Sequence, residues 1–260
     1  MIRKRFSRRP GFTPVDVLVV LALLLLALAF LAPAVSRVRE AAARTHSTNN
    51  LKQIALAVHS HNDTYKLLPP VVGEFAGKTG TVHFFILPFI EQGPLYNSGT
   101  NAVWDNDVWS KRVEVYLDPR DASAPPGAVF KGWLATTNYP ANAMVFTDGK
   151  HNLVTAMPDG TSNTLMFGQR YQMCNGTPTA WAYPALFTWA PMIAYDNHAL
   201  FQISPGQDEC DPTRAQALGS VLLIAMGDGS ARAVNPRLSA LTWYYLCDPN
   251  DGNPLGADFQ

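Results

Sequence analysis

Histidine and carboxylate side chains that could bind a metal ion occur together at positions 59–63. His59, His61 and Asp63 follow one another at steps of two residues, near the end of a helical pattern. On a helix His59 and Asp63 share a face while His61 points elsewhere, so the three cannot converge on one ion without other ligands. A hydrogen-bonded or solvated helix end is the simpler interpretation.

Two further segments offer oxygen ligands of the kind that calcium prefers. Asp159 and Asn163 belong to the first segment, and Asp208 and Asp211 belong to the second. Neither segment has the full set of acidic positions, or the closing glutamate, of the best-known calcium loop. A hairpin turn that closes Asp159 and Asn163 onto its own backbone and a solvated loop at 208–211 are the competing interpretations. We therefore expect no bound cofactor, with calcium as the ion that these residues would suit.

The sequence carries no recognisable catalytic motif. Gly-x-Ser-x-Gly, His-Glu-x-x-His, a Walker loop and a dinucleotide-binding glycine pattern are all missing from the 260 residues. Twenty basic residues balance twenty acidic ones, which removes any global electrostatic case for binding nucleic acid. We expect a protein that is neither an enzyme nor a nucleic-acid binder.

Three cysteines allow one disulfide bond and one remaining thiol. Cys210 and Cys247 flank the last predicted strand unit, which favours a bond between them. Cys174 would then be free or bonded to another chain. Three unpaired, buried thiols are the alternative.

The aromatic residues include six tryptophans and nine tyrosines. Most are expected to anchor the core and the loops. Because rings with polar tips favour interfaces, some of them could form a ligand surface. The tryptophans are Trp104, Trp109, Trp133, Trp181, Trp189 and Trp243.

A basic leader and an apolar run precede all of these residues. Residues 1–11 carry five basic side chains and no acidic one, and residues 17–35 are apolar throughout. As a helix, residues 17–35 span roughly 28 Å, close to the hydrocarbon thickness of a bilayer. Because basic residues stay on the cytoplasmic side, we expect the N-terminus in the cytoplasm and the chain after residue 36 outside it.

Two other interpretations of this start compete with a membrane anchor. A core helix is disfavoured, because the segment is apolar on every face and directly follows five cations. A cleaved secretory signal would end at a small-x-small site such as residues 32–34, but the helical spacing of apolar residues continues to Val58. We expect one long helix, kinked at Pro33, that becomes amphipathic and ends near residues 62–65.

The residues at the membrane edge resemble a known processing signal. Residues 9–16, Arg-Pro-Gly-Phe-Thr-Pro-Val-Asp, precede the apolar run and resemble the class III signal of type IV prepilins and type II secretion pseudopilins. The resemblance implies that a prepilin peptidase cleaves between Gly11 and Phe12 and methylates the new amino terminus. The apolar helix is then retained as an anchor and assembly stem.

Two residues of this signal differ from the usual pattern. Pro14 stands where the family usually has leucine, and Asp16 where it has glutamate. Counted from Phe12, Asp16 is the fifth residue and Pro33 the twenty-second, the places of the acidic residue and the kink-forming proline of such stems. Asp16 would then pair with the amino group of Phe12 in the same or a neighbouring subunit. The alternative for Asp16 is an acidic side chain that complements the helix dipole.

Further segments resemble a large bacterial family of prepilin-like proteins that carry domain of unknown function 1559. They are residues 37–44, 49–54, 57–59, 63–65, 87–96, 137–139, 159–164 and 227–232. The chain is identified as a member of that family because these segments extend over most of its length. Leu218 stands where the family often has a histidine, and Ser47 and Leu117 stand where relatives often have cysteine.

After Pro70 the sequence is typical of short strands joined by long loops. Short apolar segments at 82–90, 113–117, 165–168, 180–190 and 221–226 are separated by Pro, Gly, Asn and Asp. We predict an α+β, pilin-like fold in which the long N-terminal helix packs on a mostly antiparallel β-sheet with long loops. The expected organisation is a leader (1–11), a transmembrane half (12–35) and an amphipathic half (36–65) of the stem helix, and an extracytoplasmic β-rich domain (66–260).

These observations lead to two hypotheses of function. The first is a prepilin-like or pseudopilin structural subunit, processed after Gly11 and assembled through its N-terminal helix into a pilus-like or type II secretion fibre. Its partners would be the prepilin peptidase, other pilin-like subunits and the cytoplasmic membrane, which the stem would cross once. The alternative is a monomeric, membrane-anchored module that binds a ligand outside the cytoplasm.

Overall fold

The computed structural model describes residues 14–185, 188–195 and 199–259, without the side chains of residues 27–34. One helix, α1 (Pro14–Tyr65), accounts for 52 of these residues. The contacts within the chain divide it into two compact units, and the boundary lies inside α1, between Ala42 and Ala43. The divisions at 35/36 and 65/66 were drawn from hydrophobicity and stay predictions.

The end of α1 follows from its local sequence. The helix ends at Tyr65, within the window that the sequence predicts, and Lys66 then adopts a left-handed conformation with φ of 60°. The backbone N–H of Lys66 still donates to the carbonyl of Asn62, 2.7 Å away. Pro69 and Pro70 follow, and neither has the backbone N–H that a continuing helix needs.

The strands are short, and most of them pair in antiparallel fashion. Those in the described residues are β1 (Val72–Phe75), β2 (Lys78–Thr81), β3 (Val129–Phe130), β4 (Leu134–Ala135), β5 (Ala141–Asn142), β6 (Leu165–Phe167), β7 (Met173–Cys174), β8 (Thr177–Pro178), β9 (Met192–Ile193), β10 (Gln202–Ile203), β11 (Gln216–Ala217), β12 (Leu222–Met226) and β13 (Ala231–Val234). Five of them form the central sheet, in the order β13-β12-β6-β5-β9, in which only the β5–β9 pair is parallel. The other eight form four two-stranded sheets, of which β10–β11 is parallel. The α+β class and the mainly antiparallel pairing agree with the prediction.

The central sheet separates two hydrophobic clusters. Successive side chains of a strand point to opposite faces, and β12 follows this rule with every residue buried. Leu223 and Ala225 join the cluster that contains Leu51 and Val58 of α1. Leu222, Ile224 and Met226 join a second cluster that contains Trp243 and Leu246. Burial on both faces explains why this strand is continuously apolar in sequence.

Short helices fill the connections, and three segments expected to be strands are not strands. The helices are α2 (Val82–Phe85), α3 (Gly93–Ser98) and α4 (Ala240–Cys247), with 3₁₀ turns at Leu87–Ile90, Asp105–Ser110, Glu114–Tyr116, Pro126–Ala128 and Ala257–Phe259. Segment 82–90 is therefore helical, and 113–117 contains a 3₁₀ turn. The described residues of 180–190 form turns, apart from an isolated bridge at Ala180. The reason is that these apolar runs are buried within loops, where a short run has no periodicity that separates strand from helix.

Candidate functional site

The first half of α1 exposes its apolar side chains on every face. From Val15 to Leu26, ten large apolar side chains are each 48–67% exposed. Consecutive positions on a helix point in all directions around the axis, so these exposed side chains lie on every face of the segment. Val35 and Val38 are also exposed, at 46% and 68%, and so do not join the buried face of the helix.

The residues proposed for processing and assembly are only partly described. Gly11 and Phe12 lie outside the described residues. Asp16 lies in the first turn of α1, and α1 continues through Pro33, whose side chain is not described. Among the described residues, no helix is both long enough and apolar enough to cross a membrane.

The second half of α1 buries a face with helical spacing. Leu51, Ile54, Ala55 and Val58 are completely buried, as their spacing predicts. They belong to the same cluster as side chains of β6 and β12. In contrast, Leu56 points to solvent and is 60% exposed.

A network of buried hydrogen bonds fixes the same part of α1 to the rest of the second unit. Ser47 donates from its hydroxyl to Oδ2 of Asp118, 2.6 Å away. Gln169, just after β6, donates from Nε2 to the same oxygen at 2.6 Å, and Arg120 contacts both carboxylate oxygens at 3.0 and 2.7 Å. The hydroxyl of Tyr139 lies 2.9 Å from that of Ser47. We call Ser47, Asp118, Arg120, Tyr139 and Gln169 the polar lock.

The polar lock is buried. The Asp118 side chain is fully buried, and that of its partner Arg120 is 9% exposed. Burial, followed by the negative charge of Asp118, raises the pKa of Tyr139 well above its usual range, so its hydroxyl stays protonated. Because the donors that face Asp118 saturate its oxygens, the arrangement suits structural fixation rather than proton transfer.

Three more contacts of α1 extend this fixation along the helix. Asn50 donates from Nδ2 to the carbonyl of Leu117 at 2.9 Å. His59 places Nε2 3.0 Å from the carbonyl oxygen of Gly227. Oδ1 of Asn62 accepts a hydrogen bond from the backbone N–H of Leu153 at 3.0 Å.

The histidines near the end of α1 have structural partners. Nδ1 of His61 lies 3.1 Å from the carbonyl of Leu67, and its ring contacts Tyr65 and Phe75. Burial lowers the pKa of His61 to about 4, so it is neutral at pH 7. Together with the contact between His59 and Gly227, these contacts agree with a hydrogen-bonded helix end.

The calcium candidates are used as turn and loop contacts. Asp159 accepts hydrogen bonds from the backbone N–H groups of Asp251 and Gly252, and Asn163 donates to the Asp159 carbonyl. Asp211 accepts from the backbone and hydroxyl of Thr213, whereas Asp208 is exposed. In the part of the chain that the structure describes, no group of three or more His, Cys, Asp or Glu side chains could hold a metal ion.

The predicted disulfide between Cys210 and Cys247 is wrong. Cys174 at the end of β7 is bonded to Cys210, with their Cα atoms 5.6 Å apart. Cys247 is a free thiol at the end of α4, where it is buried in the second hydrophobic cluster. The hydrogen bond from the N–H of Asn175 to the carbonyl of Gln207 brings the 207–210 loop to β7, a contact that sequence order does not indicate.

Five aromatic rings form a continuous row, which we call the aromatic row. Its members in order are Trp109, Trp104, Tyr183, Trp189 and Phe130. Successive ring centroids lie 5.5, 6.0, 5.6 and 5.7 Å apart, with tilted or edge-to-face contacts. Trp104 is 37% exposed and the other four rings are half-buried.

The polar lock was not recognised in the sequence. A ligand surface of aromatic residues was expected, but the sequence did not indicate which of them would meet. Asp118 and Gln169 are 71 and 122 residues from Ser47, so no local pattern joins them. The only sequence signal is the polar pair Gln169-Arg170 directly after a strand, a position where a side chain can reach into a core.

One comparison with known proteins bears on this chain. The family model described as "Protein of unknown function (DUF1559)" matches residues 36–120. The matched segment is less than half of the chain and contains Ser47, Asp118 and Arg120, while residues 9–16 lie outside it. No curated protein and no solved structure matches the chain. The match supports the DUF1559 resemblance for this segment.

Proposed function

We propose that the protein is a prepilin-like structural subunit that assembles through α1 into a pilus-like or type II secretion fibre. The observation that carries the proposal is that the two halves of one helix, α1, differ in their surroundings. Its first half exposes apolar side chains on all faces, and its second half is fixed by buried apolar and polar contacts. A helix that is apolar all round needs apolar surroundings, which a bilayer supplies before assembly and neighbouring stems supply afterwards.

The proposed location is a single pass through the cytoplasmic membrane, with the second unit outside the cytoplasm. The basic residues 1–11 favour a cytoplasmic N-terminus. The disulfide between Cys174 and Cys210 supports an oxidising compartment for the second unit, because reducing systems keep most cytosolic thiols unpaired.

The residues near the N-terminus have defined roles in this proposal. A prepilin peptidase cuts between Gly11 and Phe12. The carboxylate of Asp16, in the first turn of α1, neutralises the new amino group and sets the axial position of one stem against the next. Pro33 supplies the kink of the stem, because it lacks a backbone N–H and clashes with the preceding turn.

The test is the intact mass and N-terminal sequence of the protein purified from its own membranes. We expect a chain that begins at methylated Phe12. The variant Gly11→Leu places a bulky residue at the junction and should accumulate as an unassembled precursor. Ser7→Leu makes a similar change within the leader and serves as the matched control, because it leaves the junction intact.

Each other result contradicts the proposal. An intact Met1 would leave an anchored, unprocessed protein, and a start near Ala34 would mean a freely secreted domain. Normal cleavage and assembly of Gly11→Leu would also refute the assignment of the junction.

The alternative is a monomeric, membrane-anchored ligand-binding module, and the aromatic row is the observation that favours it. Chemical cross-linking in native membranes separates the two candidates. Ladders of cross-linked subunits that disappear in Gly11→Leu support a fibre, whereas a monomer in both proteins supports the module.

A further inference from the structure

The aromatic row is built from three chain segments that one buried residue ties together. The segments are 104–111, the hairpin of β3 and β4 (129–135), and the described residues 180–185 and 188–190. Trp181, which is completely buried, donates from its indole N–H to the carbonyl of Lys111 at 3.0 Å. Its backbone N–H donates to the carbonyl of the last residue of β4 at 3.3 Å. The rings are therefore held in place before any ligand arrives, which lowers the entropy cost of binding.

Two of these segments carry left-handed backbone at residues other than glycine. Asn106 and Asp107, between the first two tryptophans of the row, have φ of 51° and 58°. Ala128 and Lys131, on either side of Phe130, have φ of 58° and 50°. Such conformations cost free energy, persist only where surrounding contacts enforce them and concentrate at binding sites.

The polar tips of the row have no acceptors among the residues that the structure describes. Within the described residues, the indole N–H groups of Trp104, Trp109 and Trp189 and the hydroxyl of Tyr183 make no hydrogen bond, in contrast to the indole of Trp181. The row therefore offers apolar ring surface and unused hydrogen-bond donors side by side.

Charged groups border the same row. Asp107 and Lys131 are exposed, and the Lys131 Nζ lies 5.2 Å from the centre of the Phe130 ring. With Asp105 and Lys111 of segment 104–111, two acidic and two basic groups border the row, so an ionic ligand is not favoured.

This combination favours a glycan over a purely apolar ligand. An apolar protein helix or a lipid chain would cover the rings and leave the donors unpaired, at a cost in free energy. Sugars with equatorial hydroxyl groups present C–H faces that stack on aromatic rings, and their hydroxyl edges accept hydrogen bonds. A row of rings, rather than one deep pocket, suits a linear chain of such sugars.

We propose that the aromatic row binds a linear, uncharged glycan of β-1,4-linked pyranoses with equatorial hydroxyl groups. The glycan stacks on the rings and accepts hydrogen bonds from their N–H and O–H groups. This inference does not depend on fibre assembly, since a monomer and an assembled subunit carry the same row.

The test is calorimetric titration of the full chain with cellohexaose and chitohexaose, in a detergent without a sugar headgroup. We expect saturable binding of at least one probe. Trp104→Ala and Trp189→Ala should each weaken it by about tenfold, the effect of losing one aromatic stack. Trp104→Phe should retain part of the affinity. Tyr244→Ala is the matched control, because Tyr244 is as exposed as Trp104, at 37%, but lies on α4.

The results decide between occupants of the row. The absence of binding of both probes overturns the proposal, as does wild-type affinity in both tryptophan variants. Self-association of the wild type that is lost in Trp104→Ala, without glycan binding, would assign the surface to a second copy instead. Unchanged melting of Trp104→Ala shows that weakened binding is not a folding defect, and N-terminal processing is measured separately.

Discussion

Replacing Asp118 with alanine should destabilise the second unit severely. The Asp118 side chain is completely buried and accepts hydrogen bonds from Ser47, Gln169 and Arg120. Its removal leaves the almost buried guanidinium of Arg120 without a counter-charge, a change that costs about 3–5 kcal/mol. That is a large share of the roughly 5–15 kcal/mol by which a typical domain is stable.

The assay is urea unfolding of the full chain in detergent, followed by tryptophan fluorescence. All six tryptophans lie in the second unit, so the signal reports its unfolding rather than changes in residues 1–42. The matched control is Glu114→Ala. Glu114 also pairs with an arginine two residues away, but both side chains of that pair are exposed, at 47% for Arg112 and 73% for Glu114.

The control should lose at most about 1 kcal/mol, as exposed ion pairs do. Ser47→Ala should fall between the two variants, at about 1.5–3 kcal/mol, because it removes one hydrogen bond to a charged group. If Asp118→Ala lost no more stability than Glu114→Ala, the argument that the polar lock fixes α1 would be refuted.

Three further predictions concern buried groups of the second unit. Without reduction, the denatured protein should be alkylated at Cys247 alone, and alkylation at three sites would contradict the bond. Cys174→Ser should lower the free energy of unfolding by about 3–4 kcal/mol, because the bonded cysteines are 36 residues apart in sequence. Burial lowers the pKa of His61 and of His83 to about 4, so the unfolded state binds more protons below pH 6.5. Stability should therefore be full above pH 6.5 and fall towards pH 4 by about 3 kcal/mol for each histidine, which unfolding midpoints at several pH values would measure; a constant midpoint would count against it. Arg170→Met should lower the free energy of unfolding by about 3–5 kcal/mol, because the buried guanidinium donates to one hydroxyl and three carbonyls that would lose their donor. A loss below 1 kcal/mol in the same unfolding assay would disprove this.

Elements whose signals are local could be predicted from the sequence. The end of α1 was placed correctly because Pro69 and Pro70 follow it closely. Strands β6 and β12 were expected because each is a short apolar run that ends at a glycine, Gly168 or Gly227. Burial on both faces of the central sheet makes such runs continuous, and their length separates them from long helices.

Segment 82–90 shows where the same reasoning fails. It is as apolar as β12, but Thr81 accepts a hydrogen bond from the N–H of Phe84 and so begins a helix. Pro88 then lies in the first turn of a 3₁₀ segment, where a missing N–H costs nothing. Thr81 and Pro88 are present in the sequence as helix signals. Because the segment is buried on all sides, it has no periodic polar face that would have separated a helix from a strand.

The contacts of the candidate sites could not be predicted, because they join distant parts of the chain. Ser47 meets Asp118 across 71 residues and Gln169 across 122. Cys174 and Cys210 are joined because the 207–210 loop pairs with β7, whereas the order of elements pointed to Cys247. Such pairings depend on tertiary packing and leave no spacing in one sequence.

The polar contacts of α1 explain how a stem can have a fixed position along its axis. Apolar burial is not directional, so the buried face of α1 fixes its axial position less sharply than hydrogen bonds do. The side chains of α1 that make hydrogen bonds extend from Ser47 to Asn62, over about 22 Å of helix, and each contacts a specific atom. A shift would break these hydrogen bonds together and take the Ser47 donor away from the buried Asp118, which makes every other register costly. Within the second unit, residues 47–62 of α1 are therefore held in one register.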